Sequence, residues 1–346
     1  MQQRQLGRTG IAVSVLGLGC QSIGGGLYHG GRRQALNLVG AAADAGINFF
    51  DTSDHYSLGR SEEYLGAALR GRRQQLVLAT KIGTTYSRFA RAALTLRPGL
   101  RLFAGALRPF KLSLHHARAS RRSCDFSATY VRAACEASLR RLRTDYLDLL
   151  QLHKPPAALL ASDELRTALE DLRRAGKVRA VGVAVDTHED ALLALENEYF
   201  QVVQVTINLL DQQAVGTVLP LALARGVGII ARNPRAQGHL TDALSDIAAE
   251  TYARNELEVQ QRTHQALEFQ FLTESGRTLA QAALQYVLQL PGVSVVAPRL
   301  FNSAQLPEVL RALTAPPLTT AELQRIALIA ATTGNVIPTS RYRSSI

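Results

Sequence analysis

The sequence contains no tryptophan, one methionine and three cysteines among its 346 residues. Cys20, Cys124 and Cys135 are odd in number and form no CxxC pair, which argues against a disulfide framework or a zinc site. Free thiols fit a reducing compartment, so a cytoplasmic protein is expected. No unbroken run of 18 apolar residues indicates a transmembrane helix. Residues 1–10 lack the basic and apolar regions of a secretory signal.

Positive charge is concentrated in one segment of the chain. The net charge is +11, and residues 87–127 hold nine arginines and lysines against a single acid, Asp125. The rest of the chain is nearly balanced, so the charge does not by itself indicate a nucleic-acid-binding protein. Lysine is scarce beside arginine, which makes Lys81, at the end of an apolar run, a residue of interest.

Short apolar runs rich in Val, Ile and Leu alternate with amphipathic stretches along the chain. Near-continuous apolar strands of this kind indicate a parallel sheet that is buried on both faces. The predicted strands are Val15–Gly19, Asn48–Asp51, Val77–Lys81, Leu147–His153, Ala180–Ala184, Val202–Thr206, Gly228–Ala231 and Val293–Ala297. The predicted helices are Arg32–Ala45, Ser61–Leu69, Ala128–Leu142, Asp163–Ala175, His188–Glu196, Ala214–Ala224 and Thr278–Leu290. Eight such units predict an α/β fold, the (β/α)8 TIM barrel.

A doubly wound dinucleotide-binding fold is the competing α/β arrangement. Its glycine-rich turn would be GLGCQS at residues 17–22, which departs from GxGxxG at the last position. The phosphate-loop pattern GxxxxGK[ST] occurs nowhere in the chain. The barrel is therefore the predicted fold.

Three segments lie outside the repeating units of the predicted barrel. Residues 3–13 predict an N-terminal β-hairpin that plugs the N-terminal end of the barrel. The basic insertion 87–127 follows the third strand, and a long loop at about 240–275 follows the seventh. Both are expected over the C-terminal face, since long connections in a compact domain are commonly functional. No domain boundary is visible, so residues 1–346 are predicted to form a single domain.

Four polar residues stand at or just after the ends of consecutive predicted strands. Asp51 ends the second strand and Tyr56 follows it, Lys81 ends the third strand, and His153 ends the fourth. Each of them alone has an ordinary structural explanation, such as turn capping or surface packing. Because the C-terminal ends of barrel strands converge on one mouth, where TIM-barrel active sites lie, the four together predict a catalytic site.

The motifs around these residues resemble those of the aldo-keto reductases. The resemblance rests on DTSDHY with GRSEEYLG, on LATKIG and on LRTDYLDLLQLHKP. It continues through GKVRAVGV, GVGIIARNPRAQGHL and LAQAALQYVLQLPGVSVVAP, in order, from about residue 51 to residue 298. GGGLYHGG and LRTDYLDLLQLH are similar to the sugar-type aldose dehydrogenases of that family.

The resemblance implies that Tyr56 transfers a proton to or from the oxygen of the substrate. Lys81 would lower the pKa of this tyrosine, which is about 10 in an isolated side chain. Asp51 would keep Lys81 charged and oriented, and His153 would hydrogen-bond the carbonyl oxygen and align it.

The resemblance also implies a nicotinamide dinucleotide across the barrel mouth, with NADP(H) preferred and NAD(H) as the other option. Gln204 falls where the family hydrogen-bonds the carboxamide, and Arg299 where some members contact the 2′-phosphate. Arg232 stands where many members stack an aromatic ring, which a guanidinium plane can also do. The other cofactor-binding positions implied are Gln21, Asn233, Pro234, Gly238, Asn302, Gln305 and Glu308.

Three positions depart from the family pattern on the cofactor side. Ala184 and Val185 replace the Ser and Asn that would anchor the carboxamide, and Val309 replaces an Asn at the adenine. Backbone groups would then have to supply the missing hydrogen bonds.

The basic insertion has several competing interpretations. It could be a lid for an anionic or bulky substrate, a contact for a membrane surface or partner, a nonspecific nucleic-acid patch, or simply a solvated loop. Its place over the predicted mouth favours the lid, and its four phenylalanines are too few for a base-stacking surface.

The predicted function is the interconversion of an aldehyde or ketone with an alcohol, or of a sugar hemiacetal with a lactone. Small-molecule carbonyl or sugar substrates are the expected partners, and no metal or specific nucleic acid is expected. Two alternatives stay open. One is proton transfer as a lyase, isomerase or dehydratase without nicotinamide redox, and the other is a non-enzymatic, cofactor-sensing subunit.

Overall fold

Eight parallel strands follow one another around a barrel in the order of the sequence. The computed structural model describes residues 1–24, 31–86, 122–241 and 256–332. The barrel strands are β3 (Leu18–Gly19), β4 (Phe49–Asp51), β5 (Val77–Ile82), β8 (Leu147–His153), β9 (Val178–Ala184), β10 (Val202–Thr206), β11 (Gly228–Arg232) and β12 (Val293–Ala297). The predicted (β/α)8 barrel is thereby confirmed.

The first and last strands close the barrel through backbone hydrogen bonds. Gly17 N–H donates to Val296 O at 2.8 Å, and Val296 N–H donates to Val15 O at 2.9 Å. Only Leu18–Gly19 pairs regularly with β4, so the predicted strand Val15–Gly19 is shortened. Its first residues turn their bonds toward β12 instead.

Helices cover the outer face of the barrel, and most predicted helices are found within a residue or two. The α-helices observed in the described residues, predicted or not, are Gly31–Asp44, Arg60–Ala68, Ala128–Leu142, Ala157–Leu160, Asp163–Arg174, His188–Glu196, Gln213–Gly216, Val218–Ala224, Glu256–Leu267, Leu279–Gln289, Gln305–Arg311 and Thr320–Thr332. The helix predicted over residues 214–224 is interrupted at Thr217, whose φ of −126° departs from helical geometry. Pro220 then falls in the first turn of the second piece, where its missing N–H costs little.

The N-terminal hairpin closes the bottom of the barrel. Strands β1 (Gln3–Gln5) and β2 (Ala12–Ser14) pair antiparallel. Leu6, Ile11 and Val13 are buried in one apolar cluster with strand residues that point into the barrel. The predicted hairpin is therefore present, and its turn supplies the lowest layer of the barrel interior.

The basic insertion begins and ends in a strand pair that the sequence did not predict. Directly after β5, strand β6 (Thr84–Tyr86) pairs antiparallel with β7 (Arg122–Cys124). The last part of the predicted insertion 87–127 is thus a strand followed by the N-cap of a helix, Ser127. Residues 87–121 lie outside the described residues.

The prediction of a long loop at about 240–275 is partly wrong. Residues 242–255 lie outside the described residues, but Glu256–Leu267 is an α-helix and Gln270–Thr273 a short 3-10 helix. Val259, Arg262 and Ala266 are its buried residues, at spacings that place them on one helical face. The Arg262 guanidinium contacts Asp211 at 3.1 Å, which ties this helix to the loop after β10.

Among residues 1–24, 31–86, 122–241 and 256–332, no helix is long and apolar enough to cross a membrane.

Gly7 supplies a test of the hairpin plug. An alanine Cβ there would lie 2.2 Å from Gly228 N at a φ of +55°, so Gly7→Ala is expected to cost about 3 kcal/mol of unfolding free energy. Gly10→Ala is the matched control, because Gly10 has a φ of +71° but nothing within 4 Å of the added Cβ, and about 1 kcal/mol is expected. Urea denaturation followed by circular dichroism measures both losses. Equal losses would show that the hairpin does not press on β11.

Candidate active site

A buried ion pair joins the ends of β4 and β5. Lys81 is 1% exposed, and its Nζ lies 2.5 Å from Asp51 Oδ2. The ammonium also donates to the Thr52 carbonyl oxygen at 3.1 Å. On the other side, Gln151 Nε2 donates to Asp51 Oδ1 at 3.0 Å. Both carboxylate oxygens of Asp51 therefore have a donor, as a buried charge requires.

Tyr56 lies against the same ammonium. Lys81 Nζ is 3.4 Å from the Tyr56 hydroxyl and 5.1 Å from the ring centroid. The loop that carries the tyrosine continues through Ser57 and Leu58, both in the left-handed region at φ of 53° and 60°. Two successive non-glycine residues in this region store backbone strain of the kind that collects at functional sites.

His153 completes the predicted group of four. Its ring centroid lies 6.2 Å from that of Tyr56, at 88° between the planes. Burial, together with the charge of nearby His55 and Lys81, holds the pKa of His153 well below its usual value, so the imidazole is neutral at neutral pH. Within the described residues its Nδ1 is buried and has no hydrogen-bond partner. The structure thus brings Asp51, Tyr56, Lys81 and His153 into one cluster.

Burial and charge act in opposite directions on the pKa values in this cluster. Burial raises the pKa of Tyr56, and Lys81 and Arg232 only partly offset the effect, so the net pKa lies above its ordinary value. Lys81 lowers the pKa of Tyr56, as the resemblance implied, but burial raises it by more. For Lys81, burial lowers the pKa but Asp51 and Tyr56 raise it more, and the ammonium stays charged.

On the cofactor side, Gln204 offers an open hydrogen bond. It lies on β10, is 2% exposed, and its amide Nε2 has no hydrogen-bond partner among the described residues. The neighbouring backbone is already engaged, since Val185 N–H donates to Gln204 O at 3.0 Å and Ala184 O accepts from Lys154 N–H at 2.8 Å. These backbone groups are already hydrogen-bonded within the protein, whereas the Gln204 amide keeps a donor available. This orphaned buried amide fits a carboxamide.

Arg232, at the end of β11, is held in an ion-pair network. Its Nη2 lies 2.5 Å from Asp186 Oδ1 and 2.9 Å from the Val185 carbonyl oxygen. Lys154 is half exposed and contacts the other oxygen of Asp186 at 2.6 Å. Burial alone would raise the pKa of Asp186, but these two cations hold it below its ordinary value.

The loop after β11 has positive φ angles at two implied cofactor positions, which is unusual for Asn233 and ordinary for Gly238. Asn233 has a φ of 53°, and Gly238 has a φ of 106°. Pro234 between them is buried. Arg235 Nη2 donates to the Arg299 carbonyl oxygen at 2.6 Å, so this loop is fastened to the loop after β12.

The implied adenosine-side residues divide into two sets. Arg299 lies with its guanidinium 4.6 Å from the Phe301 ring centroid and donates to Gln21 Oε1 at 3.2 Å, which brings two predicted residues together. Asn302 Oδ1 instead accepts from Gln305 N–H at 3.2 Å, at the start of the helix Gln305–Arg311. Gln305 is 7% exposed.

The side-chain oxygen of Gln305 accepts from Phe301 N–H at 2.8 Å, while its Nε2 is buried without a hydrogen-bond partner in the described residues. Glu308 Oε1 accepts from the Thr278 hydroxyl at 3.3 Å. Asn302 and Glu308 are thus used by the protein itself, and Gln305 keeps a donor available.

Sequence reasoning missed four residues of the site: His55, Gln151, Asp186 and Arg235. Gln151 stands two positions before His153 on β8 and so points to the same side of the strand. That period-2 spacing was a signal that could have found it. The others act through contacts between separate loops, for which the sequence holds no periodic signal.

An eight-stranded parallel barrel with its polar residues gathered at the C-terminal strand ends is the architecture of a barrel enzyme. The sequence model of the Aldo/keto reductase family matches residues 15–331. The uncharacterized oxidoreductase YqkF of Bacillus subtilis is 28% identical over 335 residues, which cover 94% of this chain and 95% of the relative. Pyridoxal 4-dehydrogenase of Microbacterium luteolum is 30% identical over 309 residues, which cover 85% of this chain and 88% of the relative.

A solved structure gives the same result. The holo form of aldo-keto reductase AKR11C1 from Bacillus halodurans superposes with a TM-score of 0.76 at 28% identity, covering 95% of this chain and 96% of that one. The chain belongs to the aldo/keto reductase family and is an oxidoreductase. Members of this family act on small-molecule carbonyl compounds and normally use nicotinamide cofactors.

Removal of the buried ammonium tests the ion pair. Lys81→Met leaves the Asp51 carboxylate buried without its cation, and a loss of about 3 kcal/mol of unfolding free energy is expected. The control is Lys177→Met, since Lys177 is 39% exposed in a surface pair with Glu136 and about 0.5 kcal/mol is expected. Denaturant titration compares the two. A small loss in both variants would mean that Asp51 does not depend on Lys81.

Proposed function

We propose that this chain is an NADP(H)-dependent oxidoreductase that interconverts an aldehyde or ketone with the alcohol, or a sugar hemiacetal with the lactone. The observation that carries the proposal is the placement of Lys81 Nζ, 2.5 Å from Asp51 Oδ2 and 3.4 Å from the Tyr56 hydroxyl. A phenol beside a buried, held ammonium at a barrel mouth is a proton donor whose phenolate product is stabilised.

In the reductive direction Tyr56 gives its proton to the carbonyl oxygen of the substrate. Its raised pKa keeps the ring protonated at neutral pH, so it begins the reaction as the acid. The phenolate that forms lies against Lys81, whose charge is maintained by Asp51. In the oxidative direction the same phenolate must form first, which favours alkaline pH.

His153 aligns the substrate in this proposal. Because the imidazole is neutral at neutral pH, one ring nitrogen carries a proton that can be donated to the carbonyl oxygen. The neutral ring can stay beside Lys81 without repulsion between two cations. Its placement at the end of β8 directs it to the same mouth as Tyr56.

When bound, a reduced nicotinamide supplies the hydride to the carbonyl carbon. The buried Gln204 amide would hold the carboxamide, and Arg232, fixed by Asp186, would border the ring. Arg299, with Gln21 beside it, would meet the 2′-phosphate and so favour NADP(H). The open Nε2 of Gln305 would serve the adenosine side.

The substrate class follows from the family and from a relative. The name of pyridoxal 4-dehydrogenase states an aldehyde substrate for that protein. The charged group of Lys154, Asp186 and Arg232 at the mouth of this chain suits polar, hydroxylated or anionic carbonyl compounds. The three free cysteines suit the reducing cytoplasm, which we propose as its location.

Tyr56→Phe tests the proton donor. Turnover of a carbonyl substrate is expected to fall by about a hundredfold to ten-thousandfold, as for the loss of a general acid. NADPH affinity is expected to stay the same, measured by nicotinamide fluorescence in a chain without tryptophan.

Tyr64→Phe is its control, since Tyr64 lies outside the barrel mouth beside Arg32. Full activity in Tyr56→Phe would remove the tyrosine from the mechanism. Failure of the native protein to bind either NADPH or NADH would leave acid–base chemistry without a hydride.

Arg299→Ala tests the cofactor preference. NADPH binding is expected to weaken by about ten- to a hundredfold, which corresponds to a charge-assisted hydrogen bond, while NADH binding changes little. Arg311→Ala, on the exposed side of the neighbouring helix, controls for the loss of positive charge. An equal effect on both cofactors would exclude Arg299 as the 2′-phosphate contact.

A further inference from the structure

Asp54 and His55 lie in the tyrosine loop, residues 52–59 after β4, and neither has a role in the proposed mechanism. The side chains of both are 9% exposed. The His55 ring centroid lies 4.6 Å from that of His153 and 4.7 Å from that of Tyr56. An imidazole thus packs against both the proposed proton donor and the proposed aligning residue.

The Ser53 hydroxyl contacts the His55 ring at Nδ1. Ser53 Oγ lies 2.8 Å from His55 Nδ1, 2.9 Å from the Lys81 carbonyl oxygen and 3.3 Å from Asp54 Oδ1. A hydroxyl carries one proton, and the carbonyl oxygen can only accept it. When Ser53 gives its proton to the Lys81 carbonyl oxygen or to the Asp54 carboxylate, Nδ1 of His55 is the donor in the remaining bond.

Asp54 is the acid that faces this imidazole. Its Oδ1 lies 3.9 Å from His55 Nδ1, and its Oδ2 accepts from the Tyr130 hydroxyl at 3.0 Å. Tyr130 belongs to the helix Ala128–Leu142, whose N-cap follows the base of the insertion. The carboxylate therefore connects the tyrosine loop to a neighbouring element.

The positive charge of Arg141, close to Asp54, is paired mainly with a second acid, Glu62. Glu62 is fully buried nearby and holds Arg141 at 2.6 Å, so the guanidinium serves Glu62 first. Burial raises the pKa of Asp54 to about 7, with Glu62 acting in the same direction and Tyr130, Arg141 and Ser53 against it.

The groups facing His153 are likewise known: His55, Lys81, Lys154 and Arg232, all of which disfavour its protonation. Two carboxylates stand behind these cations, Asp51 paired with Lys81 and Asp186 paired with Lys154 and Arg232.

We propose that Asp54 and His55 are an acid–base pair of positioning residues that holds the His153 ring for the substrate and makes turnover depend on pH near neutrality. The proposal rests on the proposed function. Ionised Asp54 favours the Nδ1-protonated His55 ring and fixes it against His153. When Asp54 takes up a proton, this electrostatic hold is lost and His153 is aligned less well.

The test is steady-state kinetics of the native protein and of Asp54→Asn between pH 5.5 and 9. The assay uses NADPH and a carbonyl substrate that is turned over, and the range covers about two units on either side of neutrality. In the native protein kcat is expected to fall several-fold as pH drops through the Asp54 transition. Asp54→Asn is expected to lack this transition and to show the lower kcat throughout, with unchanged NADPH affinity. An Asp54→Asn profile that matches the native one overturns the proposal.

Tyr130→Phe is the matched variant, because it keeps the carboxylate and removes a hydrogen bond that lowers the pKa of Asp54. Its transition is expected to move to higher pH. A shift to lower pH, or none, contradicts the assignment to Asp54.

Two readouts do not depend on turnover. Nitrogen-15 NMR of histidine-labelled protein, with His55→Phe to assign the signal, is expected to show a proton on Nδ1 of His55; a neutral Nε2-protonated ring overturns the arrangement. The Tm of Asp54→Asn relative to the native protein is expected to rise between pH 5 and pH 8, about one to two units on either side of the transition.

The sign of the Tm change follows from linkage. The folded pKa of Asp54 lies above its unfolded value, so its contribution to stability is present at low pH and is lost as pH rises through about 7. A Tm difference that does not change with pH means that Asp54 does not titrate there. If the native protein neither binds NADPH nor reduces carbonyl compounds, the proposed function fails instead, and the Tm and NMR results still judge the pair.

Discussion

The contact between Lys81 and Asp51 sets the constraint on which the mouth of the barrel depends. An ammonium that is 1% exposed is costly to remove from water, and a single carboxylate restores that loss only when its geometry is held. The end of β4 supplies the carboxylate of Asp51 and the end of β5 supplies the ammonium of Lys81. Gln151 on β8 donates to the second carboxylate oxygen of Asp51. Three strands must therefore keep their register for the charge to be tolerated.

The closed sheet and the hairpin provide that register. Each barrel strand pairs in parallel with its sequence neighbours, and β12 returns to bond with residues 15–19. The lower interior is filled by Leu6, Ile11 and Val13. A filled, closed barrel has no free edge along which a strand could slip, and a one-residue slip would turn Lys81 away from Asp51.

The sequence was sufficient for the features that depend on period and strand ends. Asp51, Lys81 and His153 were found because each directly ends an apolar run. The effect of Lys81 on the Tyr56 pKa could be expected because the neighbouring charge is visible in the motif, whereas the larger opposing effect of burial is a property of the assembled fold. The helix Glu256–Leu267 was missed because its buried residues are sparse and one of them is Arg262, a charged residue that pairs with Asp211 and Glu258. The role of His55 arises from a ring contact across loops that no sequence spacing records.

The short pair of β6 and β7 has a consequence for how the protein can vary. Tyr86 and Arg122 stand opposite each other in the ladder, directly beyond the strand that ends with the buried lysine. The chain thus leaves the barrel region after Tyr86 and returns to it at Arg122, within a single strand pair. Because loop-closure entropy grows only slowly with length, residues can be inserted or deleted between β6 and β7 at little cost to the stability of the barrel. The length and composition of that stretch can therefore change in evolution while the barrel stays the same.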